Sequence, residues 1–160
     1  MTIDFGDEKV IQFFDFLNER NVRYLLIGGW AVNYHGYVRA TQDMDIWVEP
    51  SNENKIHFCQ VLLDIGYTED EVSDIKSQDF TSHFMCKIWL ENNMSVDCLT
   101  YVHKDIDFSL AYKEKNSFFL TEKVEVKVVN YEFLKDMKTR SKRYKDLEDI
   151  SKLEEIKRIK

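Results

Sequence analysis

Residues 27–48 read IGGWAVNYHGYVRATQDMDIWV, and this stretch decides the fold. Gly28 and Gly29 end one apolar run, and a second apolar run follows at 44–48. Glycine at the end of a strand permits a tight turn and lets backbone amides come close to a bound group. The stretch therefore predicts a buried strand, a glycine turn leading into a short helix over 30–34, and a second strand.

Apolar periodicity, capping residues and turn residues predict the remaining elements. We expect helices over 7–21, 51–65 and twice within 130–160, a strand over 22–27, a hairpin of 83–90 with 94–102 that turns at Glu91-Asn92-Asn93, and a strand pair over 117–129. A polar stretch, 68–79, connects the second long helix to the hairpin. The helix positions expected to face the core are Val10, Ile11, Phe14, Leu17, Ile56, Cys59, Leu62, Leu63, Tyr131, Phe133, Leu134, Met137, Leu147, Ile150, Leu153 and Ile156.

This order of elements predicts an α/β (α+β) fold, with a mixed β-sheet flanked by helices and further helices at the C-terminus. A chain of 160 residues is long enough for one domain with a real core and too short for two ordinary ones. We therefore expect a single domain over 1–160, with its core over about 7–129 and a helical C-terminal segment over about 130–160.

The composition excludes several classes of protein. It is 44% hydrophobic and 32% charged, and no apolar run of eighteen residues exists, so we expect no membrane span. The N-terminus lacks the pattern of a secretory signal. Three scattered cysteines without a C-x-x-C pair favour reduced thiols in the cytoplasm and no structural zinc.

The net charge of −7 is unevenly distributed. Residues 135–160 contain ten Lys or Arg and six Asp or Glu, so the remaining chain carries −11. An acidic body argues against a general nucleic-acid coat. A basic C-terminal segment is compatible with local phosphate contacts, but charge alone favours a solvated amphipathic helix.

Asp43 and Asp45 are the first candidate functional residues. Side chains alternate along a strand, so both carboxylates point the same way, with Cα atoms about 6.5–7 Å apart. Two like charges on one face suggest either plain exposure to solvent or a hard divalent cation held between them. Mg²⁺ prefers oxygen ligands and is often held by one or two carboxylates together with substrate phosphates.

Three neighbouring features favour the metal interpretation. The Gly28-Gly29 turn opens a short helix, and helix N-termini attract phosphate. Arg39 and Thr41 precede the acidic pair and offer a guanidinium and a hydroxyl to a phosphate. Asp97, in the hairpin segment SVDCL, faces away from the core; if its strand lies beside Asp43 and Asp45, three carboxylates converge and can hold two metal ions.

These residues resemble a known family. A Gly-Gly-Trp turn, a gap of about a dozen residues, Asp-Met-Asp in an apolar strand and a later Asp flanked by hydrophobic residues are similar to the nucleotidyltransferase superfamily typified by DNA polymerase β. The string R-A-T-Q-D-M-D resembles AbiEii-type abortive-infection toxins. Lys138, Arg143 and Asp146, within MKTRSKRYKDLED, resemble the C-terminal helix motif of those toxins.

The resemblance implies transfer of NMP from an NTP to an acceptor hydroxyl, with pyrophosphate released. It assigns the triphosphate to Gly28 and Gly29, and two Mg²⁺ ions to Asp43, Asp45 and Asp97. Asp97 would also help to deprotonate the attacking hydroxyl. Further phosphate contacts that it assigns are Lys138 and Arg143, in addition to the candidates Arg39 and Thr41, while Asp146 either positions the acceptor or holds a basic partner. His35, close to the turn, is a further candidate for contact with the nucleotide.

Three functions remain open at this point. The first is a toxin-type enzyme acting on RNA, in particular the tRNA 3′ end, with an antitoxin as a partner. The second is an antibiotic nucleotidyltransferase of the lincosamide or aminoglycoside kind, which shares the Gly-Gly-Trp form and is closer in length than the larger toxins. The third is a nucleotide-binding, antitoxin-like protein that no longer turns over.

Overall fold

A computed structural model describes residues 5–40, 43–91 and 94–159, and within them a six-stranded sheet is surrounded by helices. In chain order the elements are α1 Glu8–Glu19, β1 Tyr24–Ile27, α2 Gly28–Tyr34, β2 Met44–Val48, α3 Asn52–Asp64, α4 Glu69–Lys76, β3 Met85–Trp89, β4 Ser95–Leu99, α5 Phe108–Lys113, β5 Asn116–Phe119, β6 Glu125–Val128, α6 Tyr131–Ser141 and α7 Tyr144–Ile159. The predicted mixed α/β fold is confirmed. The predicted turn residues Asn92 and Asn93 lie outside the described residues.

The strands are ordered β3-β4-β2-β1-β6-β5 across the sheet. Strand β2 is antiparallel to β1 and parallel to β4, while β3 pairs antiparallel with β4. The predicted hairpin is therefore confirmed, and so is the pairing of its second strand with the Asp-Met-Asp strand. This pairing brings residues about fifty positions apart in sequence onto neighbouring strands.

One side of the central strands is packed into the core. Met44, Ile46, Val96 and Cys98 are buried there, as alternation predicts. On the other side, Trp47 is covered by α5, with its ring centroid 5.1 Å from that of Phe108. This second side of the sheet is therefore closed toward the ends of β2 and β4, and it stays accessible where those strands begin.

Local capping fixes the ends of several helices. The Asp7 carboxylate accepts a hydrogen bond from the amide of Lys9 at 2.8 Å, and the Ser51 hydroxyl accepts one from the amide of Asn54 at 3.1 Å. These are N-cap interactions, which compensate for the unpaired amides of a first turn. No helix within the described ranges combines the length and the hydrophobicity needed to cross a bilayer.

Four predictions about local structure need correction. The stretch 68–79 contains α4, whose capping box of Thr68 and Glu71 was legible as a T-x-x-E pattern. Helix α5 was not predicted, because six residues show too little periodicity. Ile56 and Leu147 were expected in the core, but they are 61% and 46% exposed. Each lies on the solvent side of its helix, where apolar residues are tolerated singly.

Candidate active site

Asp45 and Asp97 lie side by side on neighbouring strands. They are register partners in the parallel pairing of β2 with β4, and on the antiparallel side Asp45 is the partner of Ile27, the last residue of β1. Cross-strand partners point to the same face of a sheet, with Cβ atoms about 4.5–5.5 Å apart in antiparallel pairs. The glycine turn and the two carboxylates therefore meet at one edge of the central strands.

Asp43 joins this group through contacts with β3 and β4. The Ser95 hydroxyl donates a hydrogen bond to Asp43 Oδ1 at 2.8 Å. Lys87 Nζ lies 3.9 Å from Asp43 Oδ1 and 3.3 Å from Asp97 Oδ1. One lysine therefore stands between two of the three carboxylates, and its close interaction with the Asp97 carboxylate, of hydrogen-bond type first and charge second, raises its pKa.

Burial and mutual repulsion make Asp45 an unusual carboxylate. Burial, followed by the charges of Asp97 and Asp43, raises the pKa of Asp45 from 3.8 to about 6. Gly28 has φ of +71°, and a Cβ at that position would overlap Asp45 Oδ2. The glycine is thus required twice, for its left-handed backbone and for the space that the carboxylate fills.

The C-terminal helices reach the same edge through a buried ionic network. Lys138 Nζ, on α6, donates to Asp146 at 2.8 Å and to Asp149 at 3.1 Å, both on α7. Arg39, from the segment after α2, donates to both carboxylate oxygens of Asp149 at 2.8 Å. The network ties the helical pair to the segment that leads into β2.

Asp146 is the second centre of this network. Burial alone would raise the pKa of Asp146, but hydrogen bonds from Lys138, Ser141 and Arg143 outweigh that effect and hold it at about 2. Asp146 is therefore ionised at neutral pH and holds basic partners, one of the two roles expected for it. Arg143 uses its Nε for Asp146, while its side chain remains 75% exposed.

These groups line a cavity of about 610 Å³, large enough for a nucleotide. It is lined by Gly28, Gly29, Arg39, Ala40, Asp43, Asp45, Asp97, Lys138, Arg143, Lys145 and Asp146. All of the sequence-predicted site residues appear among them except the candidate His35 and Thr41, and Thr41 lies outside the described residues.

Sequence reasoning missed three residues of this site. Lys87 was detectable, because alternation in the hairpin places it opposite Asp97. Lys145 belongs to the basic run of α7, where no pattern distinguishes it from its neighbours. Asp149 follows Asp146 by three residues, a helical spacing that places both on one side of α7.

His35 takes a different role from the nucleotide contact considered for it. Its Nε2 lies 2.8 Å from the carbonyl oxygen of Val129, and its ring packs edge-on against Tyr34 and Tyr131. Burial lowers the pKa of His35. The ring therefore connects α2 to the segment before α6, and it is absent from the cavity lining.

The residues present fit a divalent cation. Asp97 Oδ1 is buried, and the donor that the described parts of the chain bring to it is the Lys87 ammonium at 3.3 Å, longer than a good charge-assisted hydrogen bond. A buried carboxylate oxygen with so distant a donor is costly, and a divalent cation would compensate for it. Across residues 5–40, 43–91 and 94–159, however, no three His, Cys, Asp or Glu side chains already enclose a metal position by themselves. Coordination of two Mg²⁺ by all three aspartates stays a prediction.

Comparison with known proteins agrees with this geometry. The sequence model of aminoglycoside-2''-adenylyltransferases matches residues 9–84, just under half of the chain, and this range includes the glycine turn and the acidic pair. No curated protein matches the sequence significantly.

Among solved structures, the fold is similar to that of LnuA, a lincosamide antibiotic adenylyltransferase crystallised with lincomycin bound. The identity is 16% and the TM-score 0.54, over 92% of this chain and 96% of that one. The fold is thus a nucleotidyltransferase fold. The match to the adenylyltransferase model supports the nucleotidyltransferase superfamily, the likeness to LnuA shows the fold, and neither supports the AbiEii toxins specifically.

Proposed function

We propose that this protein is a nucleotidyltransferase that transfers NMP from an NTP to a hydroxyl of a small antibiotic, of the lincosamide or aminoglycoside kind. The observation that carries the proposal is the convergence of Asp43, Asp45 and Asp97 beside Gly28 in one polar cavity. Phosphoryl transfer depends on positioning and charge neutralisation more than on covalent catalysis, and this cavity combines acidic and basic groups for both tasks.

A small acceptor is favoured over RNA for two reasons. The proteins similar to this chain are named for antibiotic substrates, and the LnuA likeness extends over nearly the whole of both chains. The electrostatics agree, since −11 of the formal charge lies outside residues 135–160. An acidic body repels a polyphosphate backbone but not a neutral or cationic drug. An RNA acceptor and an antitoxin partner are therefore not part of the proposal.

The chemistry assigns a task to each part of the cavity. Gly28, Gly29, Lys145 and Arg143 would bind the triphosphate, and Arg39 and Lys138, both ion-paired with Asp149, would add positive charge beside it. Asp43, Asp45 and Asp97 would hold Mg²⁺, which when bound neutralises the charge that develops on the phosphate oxygens. Asp97 accepts the proton of the acceptor hydroxyl while the hydroxyl oxygen forms a bond to the α-phosphorus. The bond from the α-phosphorus to the oxygen that bridges to the β-phosphorus breaks, and pyrophosphate leaves with the bonding electron pair.

A transfer assay tests this function. Purified protein is incubated with each α-labelled NTP and Mg²⁺, and with lincomycin, an aminoglycoside or tRNA as acceptor. We expect label on one of the two antibiotics, dependence on divalent metal, and no transfer by Asp97→Asn. Label that appears on tRNA and on neither antibiotic would overturn the acceptor assignment, and label on none of the three would overturn the function.

A further inference from the structure

The site has a direction along the sheet. The glycine turn follows Ile27, the last residue of β1, and Ile27 is the register partner of Asp45 on β2. Asp45 is in turn the partner of Asp97 on β4, and Asp97 is the partner of Lys87 on β3. The basic groups Lys138 and Arg143 line a smaller cavity together with Gly28 and Asp45 but without Asp97, so they lie toward the glycine turn. The triphosphate is therefore expected over β1 and β2, with β4 and β3 beyond it.

In-line displacement restricts where the acceptor can bind. The attacking oxygen approaches the phosphorus opposite to the leaving pyrophosphate. With the pyrophosphate at the glycine end, the attacking hydroxyl comes from the side of Asp97 and β3. The surface next to Asp97 on that side is the exposed face of β3.

That face is unusually apolar for an edge strand. Met85 and Trp89 flank Lys87 on the same side of β3 and are 70% and 57% exposed. Successive same-face residues are about 6.6 Å apart, so the three side chains span about 13 Å. The Lys87 ammonium lies 5.8 Å from the Trp89 ring centroid and 3.3 Å from Asp97, which joins the apolar face to the catalytic carboxylate.

We propose that Met85, Lys87 and Trp89 form the acceptor platform, on which a small hydroxylated molecule with an apolar face lies so that its hydroxyl reaches Asp97. The proposal rests on the proposed function and adds to it a place and a chemical class for the acceptor. The platform itself has no carboxylate to bind a polycation, and its one charge, on Lys87, is already paired with Asp97 and Asp43. A sugar-containing amphipathic drug with few charges fits the platform better than a polyamine.

A second copy of the chain fits this face less well. An edge strand recruits another strand through its free backbone groups. On β3, the Tyr67 hydroxyl already accepts a hydrogen bond from the amide of Trp89 at 2.8 Å. This interaction occupies one of the backbone groups that a pairing strand would need, while the side chains above it stay open to a small molecule.

Trp89→Ala tests the platform, with Phe119→Ala as the matched control. Phe119 is 61% exposed and lies on β5, the opposite edge strand. With lincomycin as acceptor, we expect Trp89→Ala to raise the acceptor KM at least tenfold and to change the NTP KM less than twofold. Phe119→Ala is expected to leave both values unchanged. Transfer with an unchanged acceptor KM in Trp89→Ala would overturn the platform and leave the proposed function standing.

A binding measurement works even without turnover. The chain has three tryptophans, and Trp30 and Trp47 are each 1% exposed, so a ligand on the platform acts mainly on the fluorescence of Trp89. We expect lincomycin to change the emission of the wild-type protein and not that of Trp89→Phe. An unchanged wild-type emission up to millimolar lincomycin would overturn the platform for this class of acceptor.

Two further experiments distinguish the proposed acceptor from an aminoglycoside and from a second copy of the chain. Met85→Glu adds a negative charge to the platform, and we expect it to improve transfer to an aminoglycoside relative to lincomycin at least fivefold. Sedimentation of the wild type and of Trp89→Ala tests the alternative occupant. A dimer that dissociates in the variant, with an unchanged acceptor KM, would identify the face as an interface between copies and overturn the proposal.

Discussion

The carboxylate of Asp45 occupies the space that a side chain at Gly28 would need. Gly28 follows the last residue of β1, Asp45 lies on the neighbouring strand β2, and a Cβ at Gly28 would overlap Asp45 Oδ2. The glycine that turns the chain also leaves room for the carboxylate that is expected to hold the metal. A substitution at either position therefore disturbs the other.

Gly28→Ala is expected to reduce transfer at least a hundredfold and to lower the free energy of unfolding by about 2 kcal/mol, since it adds a clash to a left-handed backbone. Gly66→Ala is the matched control, because Gly66 has φ of +112° and its Cβ would meet no atom within 4 Å. It should lower stability by about 1 kcal/mol and leave kcat unchanged. Equal activities in the two variants would contradict the role of Gly28. Chemical denaturation and the transfer assay measure both effects.

Asp45→Asn is expected to abolish transfer while stabilising the metal-free protein at neutral pH. The pKa of Asp45 is about 6 in the folded protein, so the folded state binds its proton more tightly than the unfolded state does. As the pH rises from about 4 to 6, ionisation of Asp45 therefore lowers the free energy of unfolding, and this loss persists at every pH above 6. We expect the variant to be more stable by about 1–3 kcal/mol at pH 7.5 and equal to the wild type near pH 4.

Denaturation curves at several pH values, without metal, check this expectation. Asp74→Asn, at an exposed position on α4, is the control and should show no pH-dependent difference from the wild type. If Asp45→Asn stabilises the protein as much at pH 4 as at pH 7.5, ionisation of Asp45 is ruled out as the cause of the stabilisation.

Arg143→Ala and Arg39→Ala are expected to separate substrate binding from structural support. Arg143 is exposed and lines the cavity, so its loss should raise the NTP KM about tenfold and change stability by less than about 1 kcal/mol. Arg39 is the bidentate partner of the buried Asp149, and its loss should lower stability by about 3 kcal/mol. Because Arg39 is also predicted to contact a phosphate, Arg39→Ala should in addition raise the NTP KM. An Arg39→Ala protein as stable as the wild type would contradict the structural role of Arg39.

Asp149→Asn is expected to loosen the attachment of the helical pair to the site. Asp149 is 1% exposed and receives hydrogen bonds from Arg39 and Lys138, which would lose their shared counter-charge. We expect a loss of about 3 kcal/mol and faster hydrogen exchange in α7. Glu148→Gln changes the neighbouring exposed carboxylate and should alter neither quantity. Equal hydrogen exchange in the two variants would argue against the network.

The sequence by itself predicted most of the local elements and most residues of the candidate site. Strand alternation placed Asp43 and Asp45 on one face, and the Gly-Gly turn identified the end of β1, because both depend on neighbouring residues only. Elements without a strong period, such as α5, were missed. Ile56 and Leu147 were wrongly expected in the core, because a helix that already buries other side chains can leave single apolar residues exposed to solvent.

Only the tertiary structure decided which residues meet. The pairing of β2 with β4 brings Asp97 to Asp45, and the packing of α7 joins Arg39, Lys138 and Asp149 in one network. Such contacts join segments about fifty or a hundred residues apart, and their geometry depends on the packing of the whole chain. The basic side chains that were expected to contact phosphate divide for the same reason into two groups. Lys138, which is buried, and Arg39, which is partly buried, are ion-paired, whereas Arg143 is exposed, and burial creates this distinction where residue type does not.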